Sequence, residues 1–100
     1  MDSENWNLLR QGAELLKVLG HPVRLCIVRN LARKGEASVS EMQDCLTMPQ
    51  STVSQHLAKL RAYGVIKPSR RGKEVYYSIS DPRVTQVVEA VLGAGKHPDG

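Results

Sequence analysis

The sequence predicts a mainly α-helical domain carrying one small β-hairpin, in the order α-α-α-α-β-β-α, and three observations set that expectation. Apolar residues recur at helical spacing through the first six-tenths of the chain and again after Asp81. Between them, Val75, Tyr77 and Ile79 alternate with Tyr76 and Ser78, and Val65-Ile66 opens the facing strand. The stretch Pro49 to Tyr63 reads as a helix with two faces, Val53, Leu57 and Leu60 on an apolar stripe and Ser51, Thr52, Ser54, Gln55 and Lys59 beside and opposite it.

One hundred residues make a single domain, 1–100, able to bury one core without metal or disulfide. With no Phe and one Trp, that core must come from Leu, Val, Ile, Ala and Met. No apolar run approaches the ~20 residues that span a bilayer. The start, Met-Asp-Ser-Glu-Asn, is acidic where a signal peptide is basic, so the expectation is a cytoplasmic protein without a membrane partner. Cys26 and Cys45 form no CxxC pair and are expected to stay thiols, not a structural disulfide. Net charge is +4, yet Gln50 to Glu74 holds six basic residues and one acidic, so the whole excess sits on the two-faced helix and the segment after it. That concentration is the electrostatic footprint expected for nucleic acid.

Taken in order, Trp6 to Leu19 carries more apolar residues (Leu8, Leu9, Leu15, Leu16, Val18, Leu19) than one stripe needs, so two faces require cover. Gly20 and His21-Pro22 end this helix and begin the next, which runs to about Gly35 with Leu25, Val28, Leu31 and Ala32 inward. Ser38-Val-Ser-Glu41 matches a capping box, in which hydroxyl and carboxylate each satisfy a free amide at a helix start. The short helix it opens carries Val39, Met42 and Leu46, and Thr47-Met48-Pro49 separates it from the two-faced helix. Two helices joined by so tight a turn make a helix-turn-helix.

After Gly64 the hairpin tip, Arg70-Arg71-Gly72-Lys73, puts Gly where positive φ is needed and surrounds it with cations. Pro68 must lie on an edge strand or near its end. A basic hairpin directly after a helix-turn-helix is a wing, and the whole is a winged helix-turn-helix. Asp81-Pro82 starts the last helix, whose stripe is Val84, Val87, Val88, Val91 and Leu92; residues 93–100 read as a frayed tail.

Four segments, Leu16 to Leu25, Pro49 to Leu57, Gly64 to Ile66 and Gly72 to Ile79, resemble the ArsR/SmtB family of winged-helix repressors, over roughly Leu15 to Leu92. The resemblance implies a homodimer built from the first and last helices, with Leu8, Leu9, Val84, Val87, Val88, Val91 and Leu92 as its dimerisation residues, and release from operator DNA by an inducer. It also implies metal sites that this chain departs from. Ser38 and Ser40 stand where thiolates would bind a soft metal, and Arg83, Ala94 and His97 accompany Asp81 where a last-helix site needs His and Glu. The chain is more similar to the metal-independent members of PagR type; no metal or other cofactor is expected, and Asp81 is read as an N-cap.

The function expected is therefore a dimeric repressor of double-stranded DNA, contacting it through Gln50, Ser51, Thr52, Ser54, Gln55, His56 and Lys59 on the helix and Arg70, Arg71 and Lys73 on the wing. Gln can be bidentate to adenine, Ser and Thr adapt to several base edges, and Lys and Arg reach phosphate. A solvated face would more commonly carry Glu and Lys as good helix formers. The alternative is a winged helix that docks on protein instead of DNA, which the local positive charge disfavours. An enzyme built on Cys26 or Cys45 has little support, since both lie on or beside apolar stripes; the favoured expectation is inert core packing, and the alternative is thiol sensing by oxidation or persulfidation, with Cys45 the better candidate.

Overall fold

Five helices and three short strands follow one another in residues 3–42 and 47–93, the part of the chain that the structure, a computed structural model, describes. They are α1 (Ser3–Leu19), α2 (Pro22–Lys34), β1 (Ala37–Ser38), α3 (Val39–Met42), α4 (Gln50–Ala62), β2 (Ile66–Arg71), β3 (Glu74–Ile79) and α5 (Pro82–Leu92). The expected order lacked β1. Ala37 and Ser38 pair with Tyr77 and Tyr76 of β3, making an antiparallel sheet in the order β1-β3-β2. Two residues are too few to show a period of two, so this strand is made by its long-range partner and not by local pattern.

The elements start and stop where the caps require. His21 Nδ1 accepts from the Val23 N–H at 3.1 Å at the head of α2. The capping box of α3 forms reciprocally: the Ser38 N–H donates to Glu41 Oε1 at 2.9 Å and the Glu41 N–H to Ser38 Oγ at 3.4 Å. The Ser38 N–H above all, and the Ser38 hydroxyl donating to Glu41 Oε1 at 3.2 Å, hold the Glu41 carboxyl below its ordinary pKa. At the end of α4 the Val65 N–H reaches the Leu60 carbonyl and the Gly64 N–H that of Arg61, a Schellman motif that needs Gly64 at φ 74°. Gly72, at φ 61°, turns the hairpin. Pro68 lies on β2, an edge strand, where its missing N–H costs no ladder bond.

Helix α2 is the centre of the core. Its Ile27, Val28 and Leu31 are buried with Val18 and Leu19 of α1, Val53, Leu57 and Leu60 of α4, Val65 and Ile66, Met42, and Val84 and Val88 of α5. Each such side chain contributes about 1.5–3 kcal/mol of burial, and together they hold α4 by its apolar stripe. No helix among the described residues is long and apolar enough to cross a membrane. The expected helix residue Leu46, Cys45, and the tail beyond Gly93 lie outside the described residues.

Candidate nucleic-acid interface

With Val53, Leu57 and Leu60 fixed in the core, the opposite side of α4 faces outward: Gln50, Ser51, Ser54, Gln55 and Lys59 are all exposed and Thr52 is half-buried. The helix begins at Pro49, which supplies no side-chain cap. A row of short, uncharged, hydrogen-bonding side chains on a rigid, protruding helix can meet base edges.

His56 behaves differently from the rest of the expected set. It is half-buried and its ring lies against that of His21, centroids 4.6 Å apart and planes tilted by 44°. Burial first, then the nearby His21 and Arg24, lower its pKa below the usual 6.5. Arg24 adds a buried Nε with no hydrogen-bond partner among the described residues. The folded protein thus resists protonating His56 more than the unfolded chain does. The stability this gives is present above about pH 6.5 and is lost as pH falls from there through the lowered folded value. Thermal melts between about pH 7.5 and 5.5, the range in which histidine titrates, should show a falling midpoint that His56→Gln largely removes; parallel curves for the two proteins would dismiss His56 as the cause. Glu41 and Asp81, whose pKa values are also lowered, act only below their ordinary values of 4.5 and 3.8.

The hairpin register, Arg71 opposite Glu74 and Arg70 opposite Val75, sends the two arginines to opposite faces. Arg71 donates to Glu36 Oε2 at 2.6 Å and stacks over Tyr76, its guanidinium 4.8 Å from the ring centre. That hydrogen bond to Glu36 is the main reason its pKa is raised further. Arg70, Val75 and Tyr77 instead face α4 across a hollow of about 460 Å³ that Arg61 also lines. Lys73 is exposed at the tip.

The sequence placed Tyr77 on the hairpin but named neither it nor Arg61 among the DNA-contacting residues. A signal was present: Arg61 follows Ser54 by seven residues, two helical turns, and the turn at Gly72 sets Tyr77 opposite Pro68.

Of the positions where the family resemblance implies metal ligands, Ser38, Ser40, Asp81 and Arg83 are engaged with one another or in caps, and residues 94 and 97 lie outside the described residues. The Ser38 and Ser40 hydroxyls lie 3.1 Å apart, and Ser38 is occupied in the capping box. Asp81 accepts from the Arg83 N–H at 3.0 Å and from the Arg83 guanidinium at 2.7 Å, the N-cap expected of it. The Arg83 side chain is the leading cause that lowers the Asp81 pKa. A carboxylate paired with a cation is a poor ligand donor, and no cluster of three or more His, Cys, Asp or Glu suited to a metal occurs among the described residues.

Two expectations need correction. Val84 and Val88, read as dimerisation residues, are 0% and 2% exposed within the single chain, so they have no surface left for a second copy. Of that set, Leu8 (66%), Leu9 (51%), Val91 (64%) and Leu92 (38%) are exposed and Val87 is half-buried. Cys26, expected as a thiol, is disulfide-bonded. Helical neighbours in sequence carry no information on such pairing, because a disulfide depends on Cα atoms meeting within about 7 Å in the fold. The chain's one other cysteine, Cys45, lies outside the described residues.

A family described as a helix-turn-helix domain matches residues 19–68. The transcriptional repressor PagR of Bacillus anthracis is 46% identical over 81 residues, 81% of each chain. Its crystal structure superposes with a TM-score of 0.77 at 43% identity, covering 86% of this chain and 98% of that one. The HTH-type transcriptional repressor SmtB of Mycobacterium tuberculosis is 42% identical over 90 residues, 89% of this chain and 66% of that protein. The crystal structure of the transcriptional repressor BigR from Xylella fastidiosa gives a TM-score of 0.81 at 34% identity, covering 97% and 99%. With its polar-faced α4 seated on α2 and a basic hairpin beside it, this chain belongs to the ArsR/SmtB family of winged-helix transcriptional regulators.

Proposed function

We propose that the protein is a sequence-specific, DNA-binding transcriptional repressor that acts in the cytoplasm as a metal-independent homodimer, without enzymatic chemistry. The observation that carries this reading is α4 itself, clamped by Val53, Leu57 and Leu60 and presenting Gln50, Ser51, Ser54, Gln55 and Lys59 outward. The PagR, SmtB and BigR repressors support the sign of regulation. Support for the dimer comes from Trp6, Leu8, Leu9 and Leu16 on α1 and Val91 and Leu92 on α5, large apolar side chains exposed on a lone chain. One α4 per protomer then meets each half of a pseudo-palindrome.

The test of the reading face is Gln55→Ala. Specific operator binding should weaken by about 1–3 kcal/mol, the worth of a good base contact, while binding to unrelated duplex stays the same. Equal affinity and selectivity in the variant would move base reading elsewhere.

For the signal, the disulfide at Cys26 favours thiol–disulfide change over metal exchange. Cys26 packs against the core beside Val23 and Leu25 on α2, the helix that seats α4, so loosening it reaches the reading helix. Operator affinity of the wild-type protein should change when reductant is added, and that of Cys26→Ser should not. If reductant leaves wild-type binding unaltered, Cys26 is structural only.

A further inference from the structure

Three open hollows that share Tyr77 lie along the hairpin, two against α4 and one against Ser38–Ser40 and Gln50, and together they trace one groove. Its lower part, about 370 Å³, is lined by Ser54, Leu57, Ala58, Arg61, Ala62 and Tyr77. The middle adds Arg70, Pro68 and Val75, and the upper part, about 350 Å³, is bounded by Gln50, Ser40, Lys73 and Glu74. Tyr77 lines all three parts. Along this groove stand three cations, Arg61, Arg70 and Lys73, against one carboxylate, Glu74, at the tip. Among the described residues, none of the three is in an ion pair; the paired arginines are Arg10, Arg71 and Arg83.

We infer that this groove holds the sugar–phosphate backbone of one operator strand, gripped by Arg61 from α4 and Arg70 from β2, with Tyr77 as a hydroxyl donor between them. The inference rests on the reading of α4 as the DNA-contacting helix and deepens it. When a helix lies in the major groove and a hairpin reaches beyond its edge, the strand between them must pass through the cleft that separates helix from hairpin. That strand is a polyanion with two free oxygens per phosphate, and a guanidinium meets such a group with two parallel N–H donors. Arg61 and Arg70, on opposite walls of the groove, suit a phosphate in a way that two side chains on one wall would not.

The same geometry removes Arg71 from the contact set. It points to the other face of the hairpin, where Glu36 and Tyr76 already engage it. Its role is to tie the wing to the corner between α2 and β1. Two neighbouring arginines in the sequence thus divide into one for DNA and one for the fold.

The experiment measures binding to a generic duplex and to the selected operator over about 50–200 mM salt, because each phosphate contact adds about 0.9 to the slope of log affinity against log salt. Arg61→Gln and Arg70→Gln should each flatten the slope by about twice that amount on both DNAs, because a dimer loses one contact from each protomer, and Tyr77→Phe should weaken binding with the slope unchanged. Arg71→Gln should leave the slope alone. All four positions are exposed or half-exposed, and thermal melts confirm that each variant is folded before its binding is compared. A second arm replaces the backbone phosphates flanking each half-site with neutral methylphosphonates: wild type loses affinity, while Arg61→Gln loses little more. If wild type keeps a steep slope that Arg61→Gln and Arg70→Gln do not alter, or if Arg71→Gln is the variant that flattens it, the groove assignment is overturned and the reading of α4 survives. A wild type that binds no duplex in a salt-dependent manner would defeat both.

Discussion

Val91→Asp should split the dimer and remove operator binding while leaving the protomer folded. Val91 is exposed on the last turn of α5, so a carboxylate there costs the lone chain little. In a paired interface the same carboxylate must be desolvated among apolar neighbours, at several kcal/mol, unless the subunits part. Separated subunits lose the linkage between half-sites, which by effective concentration is worth about 10²- to 10⁴-fold in affinity. Sedimentation should show a monomer with an unchanged circular dichroism spectrum and only nonspecific DNA binding. A variant that sediments as a dimer would place the interface away from the end of α5.

Val88→Asp, three residues earlier, should unfold the protein outright. Val88 is packed with Val84 against α2 and is 2% exposed. An unpaired buried carboxylate costs several kcal/mol, a large part of the 5–15 kcal/mol that holds a typical domain together. The expected result is loss of the cooperative thermal transition, and Val88→Ala should retain it at a midpoint lowered by a cavity cost of roughly 1–3 kcal/mol. A well-folded monomeric Val88→Asp would mean that the α5 stripe faces a second copy after all.

These two variants mark where sequence reading stops. The stripe Val84, Val87, Val88, Val91 and Leu92 is plain from its spacing, but periodicity reports only that a side needs cover, not whether the cover is the same chain or another. The same limit applies to α1, where the excess of leucines showed two apolar faces; the fold buries Val18 and Leu19 and leaves Leu8, Leu9 and Leu16 outside. Most chemistry that closes within a few residues was legible: the Ser38–Glu41 box, the Asp81 cap, the Gly64 terminus and the Gly72 turn all form as their residues dictate, while the His21 cap of α2 was not foreseen.

Contacts between distant elements were not legible. β1 exists only through Tyr76 and Tyr77, and Glu36 and Arg71 meet across thirty-five positions. His56 is an intermediate case. It sits three residues after Val53 and four before Leu60, so helix geometry alone places it beside the buried stripe, and the fold turns its ring to His21.

The most direct test of the central claim is selection of bound sequences from a random duplex library by the wild-type protein and by Gln55→Ala. A dimer reading DNA through α4 should enrich an inverted repeat whose half-sites lie about one helical turn, roughly 10 base pairs, or a multiple of it, apart, with the base preference at one symmetric pair of positions relaxed in the variant. Failure of the wild-type protein to enrich any sequence, or recovery of the same motif with undiminished preference by Gln55→Ala, would contradict it.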